Sequence, residues 1–293
     1  FGDGRSHRTH ETVIFPESPS ELGAAFDLAW LNATRSPRYR VKRSRSLRMA
    51  DLFCGAGGLT LGILEAGRAL GIQVTPVFAA DMASHARSVY SNNFSPQVFE
   101  SRPIEELLDG KFGKKPTGLE KELLNQVGQI DMVVGGPPCQ GHSNLNNFTR
   151  RDDPKNSLYG RVARFAELFD PDYVIVENVY GAVHDRGGIV QETSRRLEKL
   201  GYAVDVGTLH GERIGVPQTR HRVFLVAVKR SIGVTPEIRH WEELHSVRAT
   251  SYRSFDWACK DLAHDGHALL DQETNPKLQT AERINWLHDQ DVY

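Results

Sequence analysis

A cysteine that follows two prolines is the residue in this sequence best placed to act as a nucleophile. The stretch reads GGPPCQG from Gly135 to Gly141. Two prolines fix φ and remove two N–H donors, which makes a stiff support just before the thiol of Cys139. A lone thiol is more often a buried structural residue, but a Pro-Pro pair argues against burial in the middle of a strand. The pattern therefore favours Cys139 as a nucleophile.

A glycine-rich turn stands between an apolar run and a helix. Residues Asp51 to Gly58 read DLFCGAGG. Glycines let the backbone approach a ligand closely, and a helix N-terminus offers free N–H groups. The turn is not the G-x-G-x-x-G fingerprint, because Thr60 occupies the third glycine position, and no Gly-Lys-Ser/Thr follows as in a phosphate loop. By itself the turn predicts only that a ligand lies close to the backbone.

Two acidic residues follow predicted strands. Asp81 comes after the run Val74 to Ala80, and Glu177 after the run Tyr173 to Val176. Asp81 could accept hydrogen bonds from a ribose diol, or it could cap the helix that begins near Ala83. Glu177 could be a catalytic acid or a paired carboxylate at a strand end. The residues alone leave these alternatives open.

Alternating strands and helices must position these residues. Further strands are predicted at Met49 to Phe53, Ile130 to Gly136 and Arg222 to Val228, with helices at Leu59 to Leu70 and Ile189 to Leu200. This alternation predicts an α/β fold with a doubly wound, mostly parallel sheet. Ligands of such sheets bind at the carboxyl ends of the strands, where the turn, Asp81, Cys139 and Glu177 all fall.

The composition excludes several classes of protein. The 293 residues are 39% hydrophobic and 25% charged, which is typical of globular rather than disordered chains. No run of 18 apolar residues is long enough to span a membrane, and no secretory leader is visible. Three cysteines, Cys54, Cys139 and Cys259, are too few for a disulfide framework and indicate a reducing compartment. We therefore expect a cytoplasmic protein without a membrane partner.

The first part of the chain differs from the rest. Ser20 to Leu31 has the apolar spacing of a short amphipathic helix. Arg35 to Arg48 is rich in arginine and lysine and contains no acid, so it is either a phosphate-contacting arm or a solvated linker. We expect an N-terminal extension over residues 1–46, a catalytic domain over 47–230 and a C-terminal segment over 231–293.

Four motifs taken together resemble the cytosine-5 DNA methyltransferase family. Asp51 to Gly58 resembles its cofactor motif and Gly136 to Gln140 its nucleophile motif. Glu177-Asn178-Val179 is similar to its catalytic acid motif, and QTRHR at Gln218 to Arg222 to its Gln-x-Arg-x-Arg motif. The motifs occur in family order. The resemblance implies a fold of the S-adenosyl-L-methionine-dependent methyltransferase type, acting on double-stranded DNA with the target cytosine flipped out.

The resemblance also implies a role for each site residue. Cys139 would add to carbon 6 of cytosine, Glu177 would bind ring nitrogen 3 and the exocyclic amine, Arg222 would face O2, and Arg220 and Gln218 would order the site. S-adenosyl-L-methionine would be the methyl donor, and no metal is implied. The implied cofactor contacts are Phe53, Cys54, Gly55, Ala56, Gly57 and Gly58 in the turn, Asp81 at the ribose, Met82 at the adenine, and Pro138 and Leu158 around the adenine and methyl group.

The sequence departs from the family pattern in two places. The aspartate expected after the third strand is missing, and Glu100 is the only nearby substitute. The recognition domain and the last two motifs are not found after Val228. We therefore expect a second chain or a C-terminal segment to supply them, with apolar residues near Met49, Leu52 and Leu59 left partly exposed.

Three functions compete at this stage. The leading one is DNA cytosine-5 methylation in a restriction–modification system, which would associate the protein with a prokaryotic nucleoid. The others are methylation of tRNA and non-catalytic binding of DNA.

Overall fold

The computed structural model describes residues 46–138, 158–181, 188–238, 253–254 and 257–258. The chain divides into two compact units, Phe1–Tyr252 and Arg253–Tyr293. In the second unit, Trp257 is helical and its ring lies 4.8 Å from the guanidinium carbon of Arg253. The predicted helix Ser20 to Leu31, most of the basic segment and Cys139 lie outside the described residues.

Seven strands of the described part form one sheet: β1 Ser46–Leu52, β2 Gln73–Ala80, β3 Val98–Glu100, β4 Met132–Gly135, β5 Tyr173–Val179, β6 Tyr202–His210 and β7 His221–Lys229. Their order across the sheet is β3-β2-β1-β4-β5-β7-β6. The helices are α1 Gly58–Leu70, α2 Ser84–Phe94, α3 Ile104–Leu107, α4 Gly118–Val127, α5 Tyr159–Phe169 and α6 Ile189–Lys199. Short 3-10 helices cover Gly211–Ile214 and Arg230–Ile232.

The sheet confirms the predicted α/β fold. Strands β1 to β5 run parallel to one another, and β7 is antiparallel to both of its neighbours, β5 and β6. The predicted end of the Glu177 strand is wrong, however, because β5 continues to Val179. The antiparallel ladder explains this, since Glu177 pairs with Phe224 and Val179 with Arg222. Glu177 therefore lies within a strand.

The main core lies where α4, α5 and α6 cover the sheet. Phe165 stacks on Phe78 and on Phe169, with ring centroids 5.8 and 4.3 Å apart. Met49 and Leu52 are fully buried, so the expected exposure of these two residues is wrong. The reason is that β1 is an interior strand between β2 and β4.

The end of the basic segment is part of the folded unit. The Arg48 backbone N–H donates to Asp131 Oδ2 at 2.7 Å, and its side chain donates to the carbonyls of Gln129 and Val127. Arg48 therefore fastens β1 to the connection between α4 and β4. None of the helices in the described residues is long and apolar enough to span a membrane.

Candidate active site

The glycine-rich turn crosses from β1 to α1 in a left-handed conformation. Phe53, Gly55 and Gly57 have φ values of 60°, 51° and 92°, a region that side chains with a Cβ rarely adopt. A Cβ on Gly57 would lie 2.1 Å from the Phe94 ring. The Cys54 N–H donates to the Ala80 carbonyl at 3.1 Å. The turn is therefore fixed against the ends of β2 and α2.

Asp81 joins this turn to the start of α2. Its Oδ2 accepts a hydrogen bond from the Gly55 N–H at 2.9 Å, and its Oδ1 accepts one from the Ala83 N–H, also at 2.9 Å. The second contact joins Asp81 to the N-cap residue of α2, Ala83, but it is not itself a helix cap, because α2 has no side-chain cap hydrogen bond. Each carboxylate oxygen has a further lone pair, so the same group can also accept hydrogen bonds from ribose hydroxyls.

A buried hydrogen-bond chain lies behind the turn. Tyr90 on α2 contacts the Thr60 hydroxyl at 2.7 Å, and that hydroxyl donates to Asp51 Oδ2 at 2.6 Å. Because Thr60 has one hydroxyl proton, Tyr90 must donate to it. Burial raises the pKa of Asp51 to about 7, with the nearby Asp81 carboxylate adding to the rise and the Thr60 hydrogen bond opposing it. Burial likewise raises the pKa of the Cys54 thiol.

The turn fits the cationic end of S-adenosyl-L-methionine. Asp51 Oδ1 is buried and has no hydrogen-bond partner among the described residues. A buried carboxylate oxygen without a partner is costly, and an ammonium or sulfonium group would offset that cost. Met82, next to Asp81 in the sequence, is 67% exposed, so its side chain is accessible to a flat ring. Leu158, by contrast, is buried in the main core.

A second group of residues gathers where β4 ends. Pro137 is buried and Pro138 is exposed. Glu177 lies so close that a Cβ on Gly136 would be 3.5 Å from its Oε2. The next residue, Asn178, is buried, and its Nδ2 donates to the Pro137 carbonyl at 3.3 Å. Strand β5 therefore holds the proline platform that leads to Cys139.

Arg222 forms an ion pair with Glu177. The Arg222 Nε lies 2.8 Å from Glu177 Oε1, and its Nη1 donates to the carbonyl of His221. The ladder explains the contact, because Arg222 on β7 stands two residues from Phe224, the partner of Glu177. Gln218 and Arg220 have exposed side chains in the loop before β7. Their carbonyls lie close to Gly211, whose N–H donates to the Arg220 carbonyl at 2.8 Å.

Some of these residues carried no signal in the sequence. Thr60 attracted notice only as a departure from a glycine fingerprint, and nothing in the sequence connects Tyr90 with Asp51. Glu100, the only nearby substitute for the missing aspartate, binds the Arg102 side chain through both carboxylate oxygens at 3.0 and 3.1 Å. Among the described residues, no three His, Cys, Asp or Glu side chains are grouped to hold a metal ion.

Comparison with known proteins identifies the family. The model of the C-5 cytosine-specific DNA methylase family matches residues 47–290. The Type II methyltransferase M1.BsuMI of Bacillus subtilis (strain 168) is 39% identical over 273 residues, which cover 93% of this chain and 62% of that protein. The Type II methyltransferase M.AgeI of Thalassovita gelatinovora is 38% identical over 180 residues, 61% of this chain and 39% of that protein.

A solved structure agrees with this relationship. It is of an E. coli protein described as a DNA modification methyltransferase encoded within a prophage, with a TM-score of 0.51 and 26% identity, over 66% of this chain and 49% of that one. The chain belongs to the C-5 cytosine-specific DNA methylase family. It spans less than two thirds of the length of these relatives.

Proposed function

We propose that this chain is the catalytic part of a DNA cytosine-5 methyltransferase of a restriction–modification system. The observation that carries the proposal is the contact of Glu177 with Arg222, directly beside the proline platform that leads to Cys139. The addition of a nucleophile to a cytosine ring requires an acid, a guanidinium and a thiol, and the first two lie beside the segment that leads to Cys139 in the sequence.

The chemistry follows from the electronic structure of cytosine. Carbon 5 is a poor nucleophile within the aromatic ring. When the Cys139 thiolate forms a bond to carbon 6, the 5,6 double bond opens and carbon 5 gains electron density. Glu177 delivers a proton to N3 and accepts a hydrogen bond from the exocyclic amine, and the proton offsets the negative charge that the addition places on the base. Carbon 5 would then take the methyl group as the carbon–sulfur bond of the donor breaks, and loss of the carbon 5 proton and of the thiolate would restore a methylated ring.

Arg222 has two effects in this scheme. Its guanidinium holds the Glu177 carboxylate in one orientation through the 2.8 Å contact, and it provides positive charge for the O2 side of the base. Because Cys139 and Glu177 act on ring atoms that are covered by stacking in a duplex, the target base must leave the helix. Gln218 and Arg220 order the loop before β7.

The cofactor would be held along β1 and β2. S-adenosyl-L-methionine, when bound, supplies the methyl group. The turn from Phe53 to Gly58 offers its backbone, Asp51 Oδ1 offers a buried negative charge, and Asp81 offers lone pairs to the ribose. Pro138 and Met82 border the same region. Recognition of the DNA sequence is proposed to lie in a second chain or a C-terminal segment, because the four motifs concern only the base and the cofactor.

The experiment compares two cysteine variants. We expect Cys139→Ser to abolish transfer of a tritiated methyl group to duplex DNA while calorimetric affinity for S-adenosyl-L-methionine stays unchanged, because a serine alkoxide is much harder to form than a thiolate. Cys259→Ser, outside the four motifs, is the matched control and should keep its activity. Duplex DNA containing 5-fluorocytosine should form a covalent adduct with the wild-type chain but not with Cys139→Ser.

The same assay separates the alternatives. Methyl transfer to tRNA in place of duplex DNA would support the RNA-directed function, and DNA binding without any transfer would support the non-catalytic one. Because target recognition is proposed to need a further segment, each assay is run with and without the corresponding downstream segment added in trans. Turnover by Cys139→Ser within tenfold of wild type would contradict the covalent mechanism.

A further inference from the structure

A basic cleft lies between the loop 108–117 and the helices α5 and α6. Its volume is about 430 Å³. Four cationic side chains line it, together with one carboxylate and one aromatic ring: Lys111, Arg161, Arg164, Arg196, Asp109 and Phe112. Arg196 lies over the Phe112 ring, with its guanidinium carbon 5.3 Å from the ring centroid. None of these residues belongs to the four motifs.

Buried charges hold the loop 108–117 in place. Arg164 Nε donates to Glu120 Oε1 at 2.8 Å, and the two side chains are 2% and 0% exposed. Arg164 also donates to the Lys114 carbonyl at 3.0 Å, while the Gly110 and Gly113 N–H groups donate to Glu120 and Glu167. Burying such a pair costs more desolvation energy than an apolar replacement would. The network therefore serves to fix the position of the loop rather than to add stability.

The fixed loop displays positive charge that is not fully neutralised within the described part of the chain. Lys111, Lys114 and Lys115 are exposed, and no acid occurs between Gly110 and Leu119. Arg161 donates to the carbonyls of Leu108 and Gly110 at 2.6 and 3.2 Å, and carbonyls leave its charge uncompensated.

The other charges of the cleft have partners. Arg164 pairs with two glutamates, and Arg196 lies 2.9 Å from Glu192. Asp109 accepts a hydrogen bond from the Thr117 hydroxyl at 2.5 Å, which leaves its charge in place. The six cations of the cleft and its loop still exceed these four acids by two, so the net charge of the group is positive.

The topology places the start of the cleft at the active-site edge of the sheet. Helix α4 leads into β4, and α5 connects the parallel strands β4 and β5. Both helices therefore run opposite to the strands and begin at their carboxyl ends. The cleft begins at this edge, where Gly160 and Arg161 form the first turn of α5, and the loop then extends along α5 until the Gly113 N–H meets Glu167.

We propose that the cleft and the three lysines bind phosphates of the DNA backbone. Backbone phosphates are the dominant targets of lysine and arginine in DNA complexes, and a fixed loop avoids the entropic cost of ordering these side chains on binding. The proposal rests on the proposed function, because it takes DNA as the substrate. It adds a surface for the flanking duplex, outside the base and cofactor sites.

The test measures the salt dependence of duplex DNA binding by fluorescence anisotropy with the full 293-residue chain. The variant Lys111→Gln/Lys114→Gln removes two charges from the loop. The control Lys199→Gln/Arg230→Gln removes two exposed charges at the opposite edge, where α6 and β7 end. Loss of two phosphate contacts should lower affinity about tenfold or more and reduce the slope of log K against log salt by about 1.8. The control should keep the wild-type slope.

Each outcome decides between the proposals. Equal losses in the two double variants, or no DNA binding by the wild-type chain, would overturn the phosphate site. A selective loss for tRNA but not for duplex DNA would overturn the assignment to DNA. If Lys111→Gln/Lys114→Gln binds DNA like wild type while methyl transfer still depends on Cys139, the cleft proposal fails and the proposed function stands. Unchanged thermal unfolding of both variants shows that folding is not affected.

Discussion

Replacement of Asp51 by asparagine should make the protein more stable at alkaline pH. Asp51 is 1% exposed, and its pKa rises from the ordinary 3.8 to about 7, mainly because burial disfavours the charged form. The folded protein keeps this proton between those two values, whereas the unfolded chain releases it. The free energy of unfolding therefore falls as pH rises through this window. An asparagine amide stays neutral and can still accept the Thr60 hydrogen bond.

The magnitude follows from the size of the pKa shift. Each pKa unit corresponds to about 1.4 kcal/mol, so a rise of about three units corresponds to about 4 kcal/mol. We expect Asp51→Asn to gain up to about that amount over wild type above neutral pH, and to lose the gain progressively towards pH 4. Titrating groups remote from Asp51 are the same in both proteins and cancel in the difference.

The assay is urea unfolding of wild type and Asp51→Asn at a series of pH values, without cofactor. Thr60→Val, which removes the hydroxyl but leaves the Asp51 carboxylate, is the companion variant. Its free energy of unfolding should fall furthest below that of wild type at alkaline pH. A stability difference between Asp51→Asn and wild type that stays constant from acid to alkaline pH would refute the reasoning. A loss of stability at alkaline pH would refute it as well.

Three further predictions concern single contacts. Asp81→Ala should weaken calorimetric binding of S-adenosyl-L-methionine by about 1–3 kcal/mol, and unchanged affinity would leave only its role at the start of α2. Gly57→Ala should lower the free energy of unfolding in urea by about 1–3 kcal/mol, because its Cβ would meet an aromatic ring of α2, whereas Gly58→Ala has open space and should not. Arg164→Met should lower the free energy of unfolding by about 3–5 kcal/mol, because it leaves the Glu120 carboxylate buried without its ion-pair partner. A second change, Glu120→Met, should restore most of this loss, and equal stability of the single and double variants would contradict the prediction.

The residues of the four motifs could be found in the sequence because their signals are local. Glycines, prolines and short apolar runs act on the backbone of their immediate neighbours, so the turn before α1 and strands β1, β2, β4 and β7 were predicted close to their observed bounds. Strand β6 was missed, and β3 was expected only through the family resemblance, just before Glu100. Strand β3 is only three residues long, and β6 is an edge strand with few fully buried side chains, so neither has the apolar pattern on which a prediction from the residues depends.

The contacts between motifs depended on the tertiary structure. The pairing of Arg222 with Glu177 follows from the register of an antiparallel ladder, and the sequence had placed Glu177 beyond the end of its strand. The chain from Tyr90 through Thr60 to Asp51 joins residues on two helices and a strand. The burial of Arg164 with Glu120 joins α5 to the start of α4. Each contact requires a crossover or a register that is decided by packing of the whole sheet, whereas residue types and spacing along the chain determine only which groups are available.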